Sequence, residues 1–316
     1  MQDLAHNDVT IGRATAGSPS RRLRRRAKPL SEGRGAAILV APYLGLLAIA
    51  GLIPAGYAIY ESFRSANGPG FTGFTNFSTV TNDFRFWGTF EHVGLVLLVW
   101  LPIMMIGVTA MALLVHASPG RFGTTMRFIY YLPGALAGIA NFMLWLYILD
   151  PTVSPFRSVL HWFGWQSLNQ VAIPGHVPTI LALMLFFQGA GTWLVILYGG
   201  MNSISEEVVE AATIDGAGSW RIARDIKLPL IRPWMGYMLL LNIAYGFQLF
   251  LEPQVLGEAT HGLLSPQYTP NQLSYTYAFQ ILNTPAAAAM SVILLVITLG
   301  IGLVVVTRVG LFKEAK

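Results

Sequence analysis

Six long apolar segments recur along this chain of 316 residues. An α-helix needs about 20 residues to cross the ~30 Å hydrocarbon core of a bilayer, and every one of the six is that long. Apolar residues make up 54% of the chain and charged residues only 11%, which is too little charge to coat a soluble domain. The sequence therefore predicts an all-α integral membrane protein with six transmembrane helices. The predicted spans are 36–62, 89–116, 125–149, 178–201, 232–255 and 286–307.

Lysine and arginine are distributed unevenly among the segments that connect these spans. Both ends of the chain and alternate connections hold seventeen of the twenty, whereas the remaining connections hold only Arg64, Arg85 and Arg157. Cytoplasmic loops of membrane proteins carry the excess of positive charge. Both termini and the 202–233 loop are therefore predicted to be cytoplasmic.

The basic stretch before the first span allows three interpretations. A run such as RRLRRRAK at 21–28 occurs in nucleic-acid-binding patches, and an arginine-rich leader before an apolar run is typical of a signal peptide. The apolar segment 36–62 exceeds the ~7–15 residues of a signal peptide's apolar region, so we interpret the arginines as a topology anchor on anionic lipid. The predicted organisation is a basic cytoplasmic tail (1–35), a transmembrane domain (36–310) and a cytoplasmic tail (311–316).

Residue patterns that carry enzyme chemistry are missing from the sequence. It contains no GxxxxGK[ST] phosphate loop, no HExxH, no GxSxG and no cysteine, and its six histidines are scattered. A membrane enzyme would need a constellation of such groups. We therefore expect a protein that is not an enzyme and that binds no metal or cofactor.

A polar helical unit at 203–230 interrupts the apolar pattern. Ser203 and Glu206 fit a capping box, which predicts a helix starting near Ser205, and Gly216 with Gly218 is expected to end it.

The second half of this unit predicts another short helix. Ser219 is expected to cap it, Pro229 to end it and Pro233 to open the next span. Helices this short need a surface to pack against. The unit is interpreted as a docking site for another protein, with an amphipathic linker on the lipid headgroups as the alternative.

The spacing within this unit resembles the EAA loop of bacterial ABC importer permeases, EAA-x3-G-x9-I-x-LP. The extended form EAATIDGA with Trp220 is similar to the maltose-type carbohydrate permeases, and FTGFTNFSTVTNDFRFWGTF at 71–90 resembles their first external segment. The positions that the resemblance implies as coupling residues are Glu210, Ala211, Ala212, Asp215, Gly216, Trp220, Ile226, Leu228 and Pro229.

This resemblance implies a type I ABC importer permease (MetI-like) architecture in a bacterial inner membrane, serving a sugar or oligosaccharide. It implies that the loop docks on a separate ATPase, so that two partner ATPase subunits use ATP and magnesium while this chain binds no cofactor. It also implies a second permease subunit, with a heterodimer expected and a homodimer left open, and an extracytoplasmic solute-binding protein.

Other transport functions stay open at this point. The second span opens with Glu91-His92-Val93 and the fifth ends with Glu252-Pro253, and both depart from the family pattern. The solute is therefore left open, with a polyol or glycerol phosphodiester as alternatives. A secondary transporter is disfavoured because charges near the membrane midplane are scarce and the two halves show no repeat.

Polar side chains inside the predicted spans mark a candidate solute path, because such groups are costly in lipid and usually face a cavity or a partner. Trp145, Trp193, Tyr245 and Phe250 could stack on sugar rings beside them. Hydrogen bonding between helices is the alternative role. The candidates are Asn141, Gln188, Asn242, Tyr245, Gln248 and Glu252, with Glu252 the strongest.

Overall fold

A computed structural model describes residues 32–118, 120–135 and 138–309 of the chain. In these residues the fold is helical, and the only β pairing is an isolated bridge between Arg64 and Phe71. The predicted tails lie outside the described residues, except for positions 32–35, which belong to the first helix. The helices are α1 (Glu32–Leu47), α2 (Ile53–Ser62), α3 (Thr75–Thr81), α4 (Phe86–Ala117), α5 (Arg121–Ala135), α6 (Gly138–Leu149), α7 (Arg157–Trp162), α8 (Leu168–Val171), α9 (Val177–Asn202), α10 (Glu206–Ile214), α11 (Ser219–Ile222), α12 (Leu228–Phe247), α13 (Leu251–Ala259), α14 (Pro270–Tyr275) and α15 (Thr284–Val309).

Four continuous helical stretches in the described residues are long and apolar enough to cross a membrane: Ala37–Ser62, Phe86–Ala117, Val177–Asn202 and Thr284–Arg308. Two helix pairs reach that length only together, and each is bent by more than 40° at its break. Counting each pair as one span gives six, in the predicted order. The pairs are Gly123–Gly134 with Gly138–Leu149, and Ser219–Phe247 with Leu251–Ala259.

The chain divides after Ile53 into two compact units. The described part of the first unit is a helix, α1 followed by the π-helical turn Ala48–Leu52. The second unit, from Pro54 onward, contains the packed core and every site considered below.

The core of the second unit is built around α4 and α9. Trp100 and Met104 of α4 are buried, as are Leu181 and Leu194 of α9. Helix α5 approaches α9 closely at Gly191, where a β-carbon would lie 2.2 Å from the carbonyl oxygen of Tyr130. A residue without a side chain is what allows two membrane helices to come this near.

A second cluster joins α3, the start of α4, α14 and α15 through buried side chains that include Val80, Phe86, Leu273, Tyr277 and Met290.

A polar network joins Tyr277 of this second cluster to Asp83 and Arg85. The Arg85 guanidinium donates to both carboxylate oxygens of Asp83, at 2.9 and 2.7 Å, and the Tyr277 hydroxyl donates to the same carboxylate at 2.6 Å. The bond from Arg85 holds the pKa of the Asp83 carboxyl well below its usual range. Burial, together with the bond to Asp83, raises the pKa of Tyr277 to about 12. Charge-assisted bonds therefore tie the segment before α4 to the segment before α15.

The helix of span five stops at Phe247, and the chain turns by 48° before α13 begins. A helix end leaves its last carbonyl oxygens without partners, which is costly away from water. Three side chains at the start of α14 donate to consecutive carbonyls of this break. The bonds run from Asn271 to Gln248 (3.2 Å), from Thr269 to Leu249 (2.7 Å) and from Gln272 to Phe250 (3.4 Å).

Candidate functional site

The 203–230 segment folds as helix, turn and helix, as predicted, but its first cap differs from the prediction. Helix α10 begins at Glu206 with Ser205 as the preceding residue, and no side chain caps it. The predicted capping box of Ser203 with Glu206 is wrong. Helix α9 runs on to Asn202, so the Ser203 hydroxyl donates to the Gly200 carbonyl at 2.8 Å and serves the end of α9 instead.

Gly216 ends α10 in the left-handed conformation, with φ of +80°. The Gly216 amide donates to the Thr213 carbonyl at 3.0 Å, and the Ala217 amide donates to the Ala212 carbonyl at 2.9 Å. These two bonds form a Schellman motif, in which glycine is strongly preferred. No atom of the described residues lies within 4 Å of a β-carbon built at Gly216, so the backbone angle is what requires glycine.

The second helix starts at Ser219, but the preceding Gly218 takes the cap position and the Ser219 hydroxyl caps nothing. The predicted end at Pro229 is wrong, as is the new start at Pro233. The helix continues from Ser219 to Phe247 through a π-helical turn at Ala223–Lys227. A proline crowds the carbonyl four residues earlier, and for Pro229 that residue lies in the wider π turn, which can accommodate it.

Large apolar side chains of this loop face outward. Ile214 is 86% exposed and Trp220 is 74% exposed. Glu210 is also exposed, and it borders a cavity of about 360 Å³ together with His116 and Lys227. The loop thus presents apolar and acidic groups on one short segment, an arrangement suited to a protein partner.

The polar residues predicted for the solute path fall into separate places. Gln188, Asn242 and Tyr245 line one cavity of about 280 Å³. Trp193 lines it as well, as expected for an aromatic partner. Asn242 also donates to the Met238 carbonyl within its own helix at 2.7 Å.

Glu252 does not line this cavity but contacts Tyr245, which does. Its side chain is buried, and it accepts a hydrogen bond of 2.9 Å from the Tyr245 hydroxyl. The break after Phe247 redirects α13, so Glu252 does not continue the line of α12 as the sequence predicted.

The other candidates lie apart from the cavity. Gln248 borders a different recess with Asn271 and Ser291. Asn141 is fully buried in α6, and neither polar atom of its carboxamide has a hydrogen-bond partner among the described residues. Trp145 packs edge-on against Phe187 with ring centroids 5.6 Å apart.

Two of the lining residues that the sequence did not predict carry polar side-chain groups. Trp100 is buried, and its indole N–H has no hydrogen-bond partner in the part of the chain that the structure describes. Thr192 contributes an exposed hydroxyl. Trp100 lies inside an apolar span, away from the interfaces where tryptophan is usual. The tryptophan itself was therefore the one feature of the sequence that could have pointed to this position. In the described residues, no group of three or more histidine, aspartate or glutamate side chains is placed to hold a metal ion.

Comparison with known proteins places this geometry in a family. The model of the family described as "Binding-protein-dependent transport system inner membrane component" matches residues 9–311. The chain is 27% identical over 291 residues to the probable starch degradation products transport system permease protein AmyD of Thermoanaerobacterium thermosulfurigenes, covering 90% of this chain and 97% of that one. It is 29% identical over 279 residues to the sn-glycerol-3-phosphate transport system permease protein UgpA of Rhizobium meliloti, covering 84% and 90%.

Solved structures agree on the fold. A crystal structure of a bacterial ABC transporter involved in the import of the acidic polysaccharide alginate contains a chain with a TM-score of 0.68 and 20% identity, covering 89% of this chain and 96% of that one. A crystal structure of a bacterial alginate ABC transporter in complex with an alginate pentasaccharide-bound periplasmic protein contains a chain that also gives a TM-score of 0.68, at 20% identity and with 86% of this chain and 92% of that one covered. The six-span MetI-like permease architecture is thereby confirmed.

Proposed function

The chain belongs to the family of binding-protein-dependent transport system inner membrane components, and from this premise we propose that it forms half of the translocation path of an importer for a sugar or oligosaccharide. The protein is a permease subunit of the inner membrane. The starch-product permease among its relatives favours a carbohydrate.

The chemistry of the cavity is the observation that carries the solute class. Amide groups of Gln188 and Asn242 and the hydroxyls of Thr192 and Tyr245 can bind sugar hydroxyls, while Trp193 offers an apolar ring face. A phosphate group is usually bound by arginine or lysine, and the lining described here contains neither. A sugar therefore fits this half of the path better than the glycerol phosphate named for a relative. Binding of a panel of sugars and glycerol phosphates to the partner solute-binding protein would test this choice.

Coupling to ATP is proposed to enter through the 203–230 loop. The residues inferred from the motif remain Glu210, Ala211, Ala212, Asp215, Gly216, Trp220, Ile226, Leu228 and Pro229, and the exposure of Trp220 and Glu210 supports a protein contact there. The partners we propose are two ATPase subunits that use ATP and magnesium, a second permease subunit and an external solute-binding protein. In this arrangement the loop and both tails (1–35 and 311–316) are cytoplasmic.

Charge reversal at Glu210 tests the coupling. In the complex purified with its native partners, we expect Glu210→Arg to lower solute uptake per ATP hydrolysed by roughly tenfold, the effect of losing one charged contact, while membrane insertion is retained. Glu207→Arg is the matched control. Glu207 is exposed like Glu210, but it lies in the first turn of α10 and does not border the cavity that Glu210 borders. Normal uptake by membranes that contain the Glu210→Arg complex would contradict the assignment. Proton-coupled uptake by this chain alone would contradict the proposal that it is a subunit of an ATP-driven importer.

A further inference from the structure

A polar contact joins the second half of the coupling loop to the end of another span. The Lys227 ammonium lies 2.9 Å from Nδ1 of His116, across 111 positions of sequence. Lys227 is the last residue of the π turn that precedes α12, and His116 lies in the last turn of α4. Since an ammonium has only donors, Nδ1 of His116 is the acceptor in this bond.

Two further side chains extend this contact to α9 and α5. The ring of His116 lies 5.5 Å from the ring of Tyr198 on α9. The Arg127 guanidinium of α5 lies 4.4 Å from the centre of the same Tyr198 ring, within cation–π distance. Arg127, Tyr198, His116 and Lys227, which we term the Lys227 cluster, thus connect three span ends with the coupling loop.

The loop has few apolar anchors of its own. Neither α10 nor the π turn buries a side chain fully, and α11 buries only Ile222. Lys227 is half-buried, and within the described part of the chain no carboxylate lies within 4 Å of it. Its bond to His116 is therefore the main polar attachment of its charge, and such charge-assisted bonds are stronger than neutral ones.

The Lys227 cluster also lies next to the predicted contact with the ATPase. His116, Tyr198 and Lys227 line the same cavity as Glu206 and Glu210 of α10. A force applied to α10 by a partner would therefore act beside this attachment.

We propose that Lys227 is a positioning residue of the transport cycle. By binding His116 it fastens the coupling loop to the end of α4, so that a displacement imposed at α10 moves the ends of α4, α5 and α9 instead of bending the loop alone. This inference rests on the proposed function of the loop.

Substitutions that remove or keep the bond test this role in the complete complex. Lys227→Met and His116→Leu remove it, whereas Lys227→Arg keeps a charged donor and His116→Asn keeps an acceptor near the position of Nδ1. Arg224→Met removes an exposed cation from the same π turn and is the matched control. We expect Lys227→Met and His116→Leu each to lower solute uptake per ATP by roughly tenfold, and the double variant to do no more than either alone. For Lys227→Arg, His116→Asn and Arg224→Met, uptake per ATP should stay close to that of the parent.

A distance measurement separates positioning from mere stability. The chain contains no cysteine, so Leu114→Cys and Glu207→Cys, at two exposed positions on α4 and α10, accept spin labels selectively. In the parent complex we expect the distribution of label distances to be the same with and without trapped ATP. In Lys227→Met and His116→Leu we expect this distribution to broaden or shift when the complex is trapped with ATP. If Lys227→Met does not assemble, His116→Leu carries the same test.

Unchanged uptake per ATP and unchanged label distances in the assembled variants would overturn the role of Lys227. Glu210→Arg is measured in parallel. If it uncouples uptake while Lys227→Met does not, only this inference fails. If Glu210→Arg transports normally, the proposed function of the loop fails instead.

Discussion

Thr269 donates its hydroxyl to the carbonyl oxygen of Leu249 across 2.7 Å in a buried position. The same hydroxyl accepts a hydrogen bond from the backbone N–H of Gln272 and so caps the start of α14. One side chain therefore closes two helix ends, the break of span five and the start of α14. This bond helps hold the bend that brings Glu252 to Tyr245, at the edge of the proposed solute cavity.

Thr269→Val should destabilise the protein by about 1–3 kcal/mol, because it leaves the Leu249 carbonyl and the Gln272 amide buried without their partner. The midpoint of thermal unfolding of the purified complex measures the change. Thr79→Val is the control, since the Thr79 hydroxyl donates to the Thr75 carbonyl of its own helix at an exposed position. Equal midpoints for the two variants would show that the break does not depend on Thr269.

Asp83→Asn should make stability less dependent on acidic pH. The folded state lowers the pKa of Asp83 below its ordinary value of 3.8, so the ionised carboxylate stabilises the fold fully above that value and ceases to do so as pH falls through the lower pKa. The stability difference between parent and variant should be complete at about pH 6 and should shrink progressively as pH falls from about 4 toward the lower, folded-state pKa. Unfolding midpoints across this range measure it. Glu91→Gln, a change at an exposed carboxylate of α4, serves as the control, and a pH-independent difference for Asp83→Asn would contradict the prediction.

Gly191→Ala should be costly because the new β-carbon would lie 2.2 Å from the Tyr130 carbonyl oxygen. Separating α5 from α9 by the necessary distance should cost about 1–3 kcal/mol, as for other overpacked cores. Gly199→Ala in the same helix is the matched control, because nothing lies within 4 Å of its β-carbon. Thermal unfolding compares the two, and a neutral Gly191→Ala would argue against this close approach.

Gly216→Ala should loosen the end of α10, since a residue with a β-carbon pays about 1–2 kcal/mol in the left-handed conformation. Amide hydrogen exchange in the 206–222 segment should then be about 5–30-fold faster. Gly218→Ala should change exchange less, because Gly218 has an extended backbone with φ of −72°, which alanine also adopts, and open space around it, so that only its preference for the cap position is lost. Equal exchange in the two variants would mean that the Schellman motif does not limit opening of the loop.

Gln188→Ala should raise the KM of uptake by roughly tenfold through the loss of a hydrogen bond to the solute, while the stimulation of ATP hydrolysis by the solute-binding protein is preserved. Gln280→Ala is the control, because Gln280 is exposed and lies outside the cavity. An unchanged KM for Gln188→Ala would remove this cavity from the proposed path.

The helical class, the six spans and the helix–glycine–helix unit could all be predicted because each depends on local sequence. An apolar run of sufficient length has few alternatives to a membrane helix, and Gly216 marks a helix end wherever the chain is placed. The errors arose where a neighbouring element took a residue that had been assigned on local grounds. Ser203 serves the end of α9 instead of the start of α10, and a π turn absorbs the effect of Pro229.

The membership of the cavity could not be predicted in the same way. Sequence marks which polar residues are costly in a membrane, but Gln188, Asn242 and Tyr245 meet only because α9 and α12 pack together, while the equally polar Asn141 and Gln248 point elsewhere. The contact of Lys227 with His116 likewise joins positions 111 residues apart. Hydropathy and helix-end signals act over a few residues and determined the spans and the loop, whereas side-chain contacts depend on helix packing and rotation, which only the tertiary structure decided.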